Sequence, residues 1–261
     1  MVKGKTPTAE LIGKIIMYVL LILMAAIMLI PFIWMISSSL KLEKDVFSFP
    51  IQWIPADPQW ENYKEIWNRV PLITGFWNST KLTVCTTILQ LVTSSFAAYA
   101  FAKLEFKGRD TIFMLYVMTI AIPWQVYMVP QYKMMTIFGL TDSHLGIILM
   151  HAFTATGVFL MRQFFMGIPT ELLEAARIDG LSEYGIWARI MVPLSKPAVA
   201  TLCITSFVFE WNDFMGPLIY LAGKPENYTL AIGIYYKFMG GLSMKNYPNQ
   251  QMAVGVLMVI P

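Results

Sequence analysis

Charged residues and histidine are scarce in this chain. Of its 261 residues, 13% are Asp, Glu, Lys or Arg and two are histidine. Soluble domains carry about 25% charged residues, so an ordinary water-facing globular surface is excluded. The net charge of +3 is too small for an electrostatic footprint on nucleic acid, and no nucleic-acid partner is expected. Cysteines number two, Cys85 and Cys203, both inside apolar runs. That excludes a disulfide framework and leaves two small buried hydrophobes. With so few Cys and His there is no metal-ligand spacing. H-E-x-x-H and G-x-S-x-G are both absent, as is a pair of aspartates on separate apolar segments, so no catalytic set is present. The one Gly-Lys-Thr, Gly4-Lys5-Thr6, has no room upstream for the first glycine of a Walker A loop.

What the chain has is apolar length. Hydrophobic residues make up 57% of it, and several runs reach the roughly 20 residues that cross about 30 Å of hydrocarbon as helix. The fold expected is an all-α polytopic membrane protein, one transmembrane domain over 1–261. Continuous runs do not fit a β-barrel, whose strands alternate over about ten residues. The first run is too long for a signal-peptide core and has no small-x-small cleavage site, so it is kept as a spanning helix.

Six transmembrane helices are expected, at about 13–37, 78–102, 111–129, 145–165, 197–221 and from 252 onward. The sixth meets the last residue, Pro261, in mid-span, and is expected to be truncated. Residues 38–77, with Trp53, Trp60 and Trp67, and residues 222–250, rich in Gly, Pro and Tyr, are expected as outer loops. Basic residues number about the same on the two sides but are denser in the shorter inner segments, which favours a cytoplasmic N-terminus.

Polar residues inside apolar runs cost at least a few kcal/mol unless they face a cavity or a partner. Glu210-Trp211-Asn212-Asp213 is the most costly such cluster. Placed within a continuous fifth span, Glu210 lies about 20 Å from the cytoplasmic start. Carboxylates and an amide can bond sugar hydroxyls and Trp211 can stack on a pyranose, so the cluster can line a translocation path. Equally, Glu210 and Asp213 can pair with neighbouring helices. Pro123-Trp124-Gln125 and Pro130 suggest a kinked third span, either a packing device or a path lining that offers Gln125. His151, beside Thr154 and Thr156, can face the path or be satisfied by a neighbour.

The most informative stretch is Glu174-Ala175-Ala176-Arg177-Ile178-Asp179-Gly180, followed by Ile190-Met191-Val192-Pro193. Ala175 and Ala176 are strong helix formers of small bulk. Glu171 and Glu174 fall near the positive end of a helix dipole, and Gly180 suits a left-handed C-cap. Ser182 can cap a second short helix, which Pro193 and Pro197 end. The product is a helix–Gly–helix elbow between the fourth and fifth spans.

This stretch resembles the cytoplasmic coupling loop of ABC importer permeases, E-A-A, three residues, G, nine residues, I-x-L-P, with Val192 at the Leu position. Ala97-Ala98-Tyr99-Ala100-Phe101-Ala102-Lys103-Leu104, Arg162-Gln163-Phe164-Phe165, Ile168-Pro169-Thr170-Glu171-Leu172-Leu173-Glu174, Trp211-Asn212-Asp213-Phe214 and Glu226-Asn227-Tyr228-Thr229-Leu230 are similar to the carbohydrate branch, and to the six-span permease type of the maltose transporter. The resemblance implies a type I importer transmembrane domain with its coupling loop at about 168–196. Glu171, Glu174, Ala175, Ala176, Asp179, Gly180, Ile190 and Pro193 would couple the chain to the ATPase. It further implies a prokaryotic cell membrane, a related second permease as heterodimer partner, two ATPase subunits and an external sugar-binding protein. ATP and Mg²⁺ would be bound by the ATPase, with no cofactor in this chain. The function so implied is ATP-driven sugar import by alternating access. The rivals are an ion-coupled secondary transporter or channel working through Glu210 and Asp213, and an intramembrane enzyme.

Overall fold

The computed structural model describes residues 7–238 and 247–259. Its helices are, in chain order, α1 Pro7–Ser39, α2 Glu61–Arg69, α3 Leu72–Lys103, α4 Arg109–Met118 and α5 Trp124–Ile137. There follow α6 His144–Met150, α7 Ala155–Met166, α8 Thr170–Ile178, α9 Glu183–Ile186, α10 Val192–Leu194 and α11 Lys196–Trp211. The last three are α12 Met215–Tyr220, α13 Leu230–Phe238 and α14 Pro248–Met258. Two compact units result, one built from residues up to Pro71 with those from Ile234 on, the other from Leu72–Gly233.

In the first unit α1 is apolar around its whole circumference. Its side chains from Leu11 to Ile36 stay largely exposed, as a helix facing lipid requires. Its end is capped by side chains from elsewhere in the unit. Asn62 Nδ2 donates to the carbonyls of Ser39 (2.8 Å) and Lys41 (3.0 Å), and Asn249 Nδ2 donates to Asn62 Oδ1 at 2.9 Å. Gln250 bonds Glu65, and the Arg69 guanidinium lies 4.2 Å over the Tyr247 ring. The Asn62 bond to Ser39 satisfies a carbonyl that the end of α1 leaves free.

The second unit is arranged around α3, which is amphipathic in the inverted sense. Val84, Ile88, Val92 and Phe96 form its exposed stripe, while Ser79, Thr83, Thr86 and Gln90 are buried. Exposed apolar and buried polar faces suit a helix with lipid outside and hydrogen-bonding neighbours inside. At Gly157 of α7 a Cβ would lie 2.7 Å from Ser94 Oγ of α3 and 3.0 Å from Leu202 Cδ1 of α11. Only a glycine lets these three helices approach so closely.

By length and composition α1 and α3 can each cross a membrane, and three bent helix pairs raise the number to five if each pair is one span. The third span, expected to kink, and the fourth, expected as a continuous helix, are each a bent pair, and the remaining pair joins the segment Glu183–Leu194 to the start of the fifth. Pro123 turns the third through 101°. Ile122 before it is extended (φ −86°, ψ 111°), the conformation a following proline imposes, whereas Pro130 sits inside α5 without breaking it. The fourth bends by 47° between α6 and α7. In the fifth, α11 stops at Trp211, and α12 starts after Asp213, whose Oδ1 accepts the Gly216 N–H at 3.2 Å. Helix α3 begins at Leu72, so residues 72–77 belong to it and not to the preceding loop. Helix α14 begins at Pro248, ahead of the expected Met252. Gly240, Gly241 and Lys245 of the last loop, and the final Ile260 and Pro261, lie outside the described residues.

Candidate coupling site

The elbow forms as the residues dictate. Pro169 is the N-cap of α8, with Glu171 in the first turn. The helix ends in a Schellman motif. Gly180 is left-handed (φ 82°), its N–H donates to the Arg177 carbonyl at 3.0 Å, and the Leu181 N–H donates to the Ala176 carbonyl at 3.0 Å. Nothing lies within 4 Å of where a Gly180 Cβ would be, so the position asks for glycine by backbone conformation alone. Ser182 Oγ then accepts the Gly185 N–H at 3.3 Å and caps α9. A π-helical turn, Trp187–Met191, carries Ile190 into α10 with Pro193. The segment Glu183–Leu194 meets α11 at 83°.

Helix α8 has two distinct faces. Leu173 and Ala176 are buried in a core with Ala98, Tyr99, Phe165, Ile186 and Met191. Glu171, Glu174, Ala175, Ile178 and Asp179 are exposed, Ile178 at 87%. The two alanines thus divide: Ala176 seats the helix and Ala175 belongs to the free surface. Ile190 is half-buried and Pro193 exposed.

The elbow is braced within itself and fixed to α3. Arg177 Nε and Nη2 donate to Glu183 Oε1 (2.8 Å) and Oε2 (3.3 Å), a two-pronged pair. The hydrogen bond to Glu183 raises the guanidinium pKa further above its ordinary value, so the pair stays charged. Tyr99 of α3 donates its hydroxyl to the same Glu183. Phe96 packs on Tyr184 and Trp187 with ring centroids 5.5 and 4.9 Å apart, and Lys103 Nζ donates to the Ile168 carbonyl at 2.5 Å. Phe96, Tyr99 and Lys103, spaced i, i+3, i+7, share one helix face.

The polar cluster of the fifth span is placed differently from expectation. Glu210 lies in the last turn of α11, with its side chain 5% exposed. Its Oε1 accepts from Gln90 Nε2 at 2.9 Å and its Oε2 lies 2.9 Å from His151 Nδ1. The structure thus brings two of the six candidate path residues together, around Gln90. Gln90 Nε2 also donates to the His151 carbonyl (2.8 Å), and Thr93 Oγ1 to the Ala152 carbonyl (2.5 Å). Both carbonyls are freed where α6 and α7 part. Of the other four, Asp213 lies near enough to feel the charge of both His151 and Glu210, while Trp211, Asn212 and Gln125 make their contacts elsewhere. Trp211 stacks on Phe207 (5.9 Å, 8°) and meets Phe76 edge-on. Exposed Asn212 bonds back to the Val208 carbonyl, Asp213 accepts from Gly216, and Gln125 is exposed in the first turn of α5. Gln90 and Thr93 carried a signal in the sequence, polar residues at helical spacing within an apolar run.

Comparison with known proteins accords with this architecture. Residues 90–261 match the family described as binding-protein-dependent transport system inner membrane component. The arabinooligosaccharides transport system permease protein AraQ of Bacillus subtilis is 35% identical over 85% of this chain and 79% of its own. The melibiose/raffinose/stachyose import permease protein MelC of the same organism is 36% identical over 79% and 76%. The sn-glycerol-3-phosphate transport system permease protein UgpE of Yersinia enterocolitica is 31% identical over 94% and 88%. A chain in the crystal structure of a bacterial ABC transporter that imports the acidic polysaccharide alginate shares the fold, with a TM-score of 0.84 over 100% of this chain and 95% of that one at 24% identity. This chain therefore belongs to the binding-protein-dependent transport system inner membrane components, the ABC importer permeases, and is a membrane-embedded transport subunit, with an ATPase and a substrate-binding protein as the partners that such membership entails.

Proposed function

We propose that this permease imports a sugar or oligosaccharide by alternating access, driven by an ATPase that grips the α8 elbow from the cytoplasm. The observation that carries the reading is the division of α8. One face is locked into the core through Leu173 and Ala176, and the other, Glu171, Glu174, Ala175, Ile178 and Asp179, is left exposed. An exposed apolar residue ringed by charge, on a helix held by a Schellman turn and an ion pair, is suited to a groove on a partner. Gly180, Ile190 and Pro193 keep the elbow in shape. The elbow side is then cytoplasmic, as is the N-terminus, while the loop ahead of α3 (38–71) and the 222–230 loop face outward.

The carbohydrate class rests on the relatives, two of which are named for arabinooligosaccharides and for melibiose, raffinose and stachyose. The assembly we infer is a heterodimer with a related permease, two ATPase subunits and an external sugar-binding protein. For the path, Trp211, Asn212, Asp213 and Gln125 remain the candidates whose polar or aromatic groups can meet a sugar. Glu210 and His151 are engaged with each other and with Gln90, and support the path from behind. That engagement also weakens the reading of Glu210 with Asp213 as an ion-coupling pair.

The test is purification through a tag on this chain from its native membrane. A stoichiometric subunit with a P-loop should accompany it, and ATP turnover should rise with one class of sugar presented by the binding protein. Trp211→Ala and Asp213→Asn should lower uptake and leave the ATPase attached. Transport by the isolated chain down an ion gradient would overturn the proposal.

A further inference from the structure

The chain connects the elbow to α7 on one side and to α11 on the other, yet neither runs through unit two without a break. Helix α7 parts from α6 at 47°, and α11 meets the elbow segment at 83° and stops at Trp211. Helix α4 continues into α5 only through a 101° bend. Helix α3 alone is unbroken among these, with 32 residues and a length of about 48 Å, and it is fixed at three levels. At one end Phe96, Tyr99 and Lys103 hold the elbow, as described above. In the middle Gln90 and Thr93 hold the α6–α7 break and Glu210. At the other end Asn78 Nδ2 donates to the carbonyls of Glu226 (2.8 Å) and Tyr228 (3.0 Å), and Ser79 Oγ accepts the Leu230 N–H at 3.0 Å. The far loop is itself tied together. Asp142 Oδ1 accepts the Gly223 N–H at 2.6 Å, Asn227 Nδ2 donates to the Asp142 carbonyl at 2.6 Å, and His144 Nε2 lies 2.8 Å from the Asn227 carbonyl.

We propose that α3 is the transmission rod of this subunit, carrying displacement of the elbow to the 222–230 loop through the Tyr99–Glu183, Gln90–His151–Glu210 and Asn78–Glu226 fixings. The inference rests on the elbow being the ATPase contact. A bent helix pair absorbs displacement at its hinge, whereas a continuous helix bonded at both ends passes it on. Tyr99, Lys103, Asn78 and Ser79 act as positioning residues, touching neither substrate nor nucleotide.

Hydrogen–deuterium exchange of the complex purified through this chain tests the rod, with Mg²⁺ and a non-hydrolysable ATP analogue as the probe. In the wild type, protection should change at both 170–190 and 222–230. In Tyr99→Phe/Lys103→Met, and separately in Asn78→Ala/Ser79→Ala, the elbow should still respond while the 222–230 response falls about fivefold or more, within the usual range of allosteric coupling. Thr201→Val, on the exposed side of α11, should leave both responses intact. Should the Asn78→Ala/Ser79→Ala complex not assemble, the more conservative Tyr99→Phe/Lys103→Met pair decides the matter. Undiminished response at 222–230 in the assembled variants overturns the rod alone, as does a wild-type elbow that responds without that loop. A wild-type complex silent at both segments overturns the ATPase reading of the elbow and the rod with it.

Discussion

Glu210 Oε2 lies 2.9 Å from His151 Nδ1 across 59 residues of sequence, and the other oxygen of the same carboxylate is held by Gln90. One buried acceptor thus joins α3, the α6–α7 break and the end of α11. An uncompensated polar group at such a site costs about 1–3 kcal/mol. Replacing Glu210 by Leu removes the partner of His151 Nδ1 and one of the two acceptors of Gln90 Nε2, whereas Glu210→Gln keeps a carbonyl acceptor for one of them. Thermal unfolding in detergent should rank the wild type above Glu210→Gln and both above Glu210→Leu. Equal melting of the two variants would remove the triad as a structural clamp.

The break in the fourth span depends on a hydroxyl. Thr93 Oγ1 donates to the Ala152 carbonyl, which no helical N–H reaches. Thr93→Val preserves shape and deletes the donor. The expected loss is about 1 kcal/mol, the usual size for a polar contact between membrane helices, with faster amide exchange confined to 150–157. Thr205→Val, which deletes only a bond within its own helix, should cost less.

Close approach at Gly157 permits no side chain without movement. A Cβ there would meet Ser94 Oγ and Thr154 Cγ2 at 2.7 Å. Gly157→Ala should therefore destabilise by about 1–3 kcal/mol through overpacking, read as a lower melting temperature. Ser94→Ala in the same background should restore part of the loss.

Gly180 makes the opposite case, since its surroundings are open and its demand is a left-handed backbone. Gly180→Ala should cost about 1 kcal/mol of elbow stability and Gly180→Val more, because a β-branched residue resists positive φ. Gly180→Asn should sit nearest the wild type. The readout is amide exchange at 176–183, with ATPase attachment falling in the same order.

Much of this was legible in the sequence, and the reason differs from element to element. The elbow could be read residue by residue because its signals are local: a Pro ahead of α8, a Gly at its end and a Ser capping α9. Apolar length marked α1 and α3 in the same way. The hinges were less visible: the polar stretch Glu210-Trp211-Asn212-Asp213 was read as lining a path or pairing with neighbours, whereas it also marks where α11 ends. The partners of Glu210 could not be read. Gln90 and His151 lie far away in sequence, and a buried carboxylate fits a path lining and a clamp alike until its neighbours are placed. Tyr99 and Glu183 were hidden for the same reason, although Tyr99 stood in a quoted motif.

The central claim is that the free face of α8 is where a nucleotide-hydrolysing subunit is gripped. A photo-crosslinking residue at Ile178, the most exposed apolar position of that face, tests it directly when illuminated in intact membranes. The account predicts one crosslinked product whose partner peptides carry a Walker A sequence, lost with Glu174→Lys, and no such product from the same probe at Lys224. Crosslinks from Ile178 to lipid alone, or labelling of an Ile178→Cys variant by a membrane-impermeant reagent added outside whole cells, would contradict it.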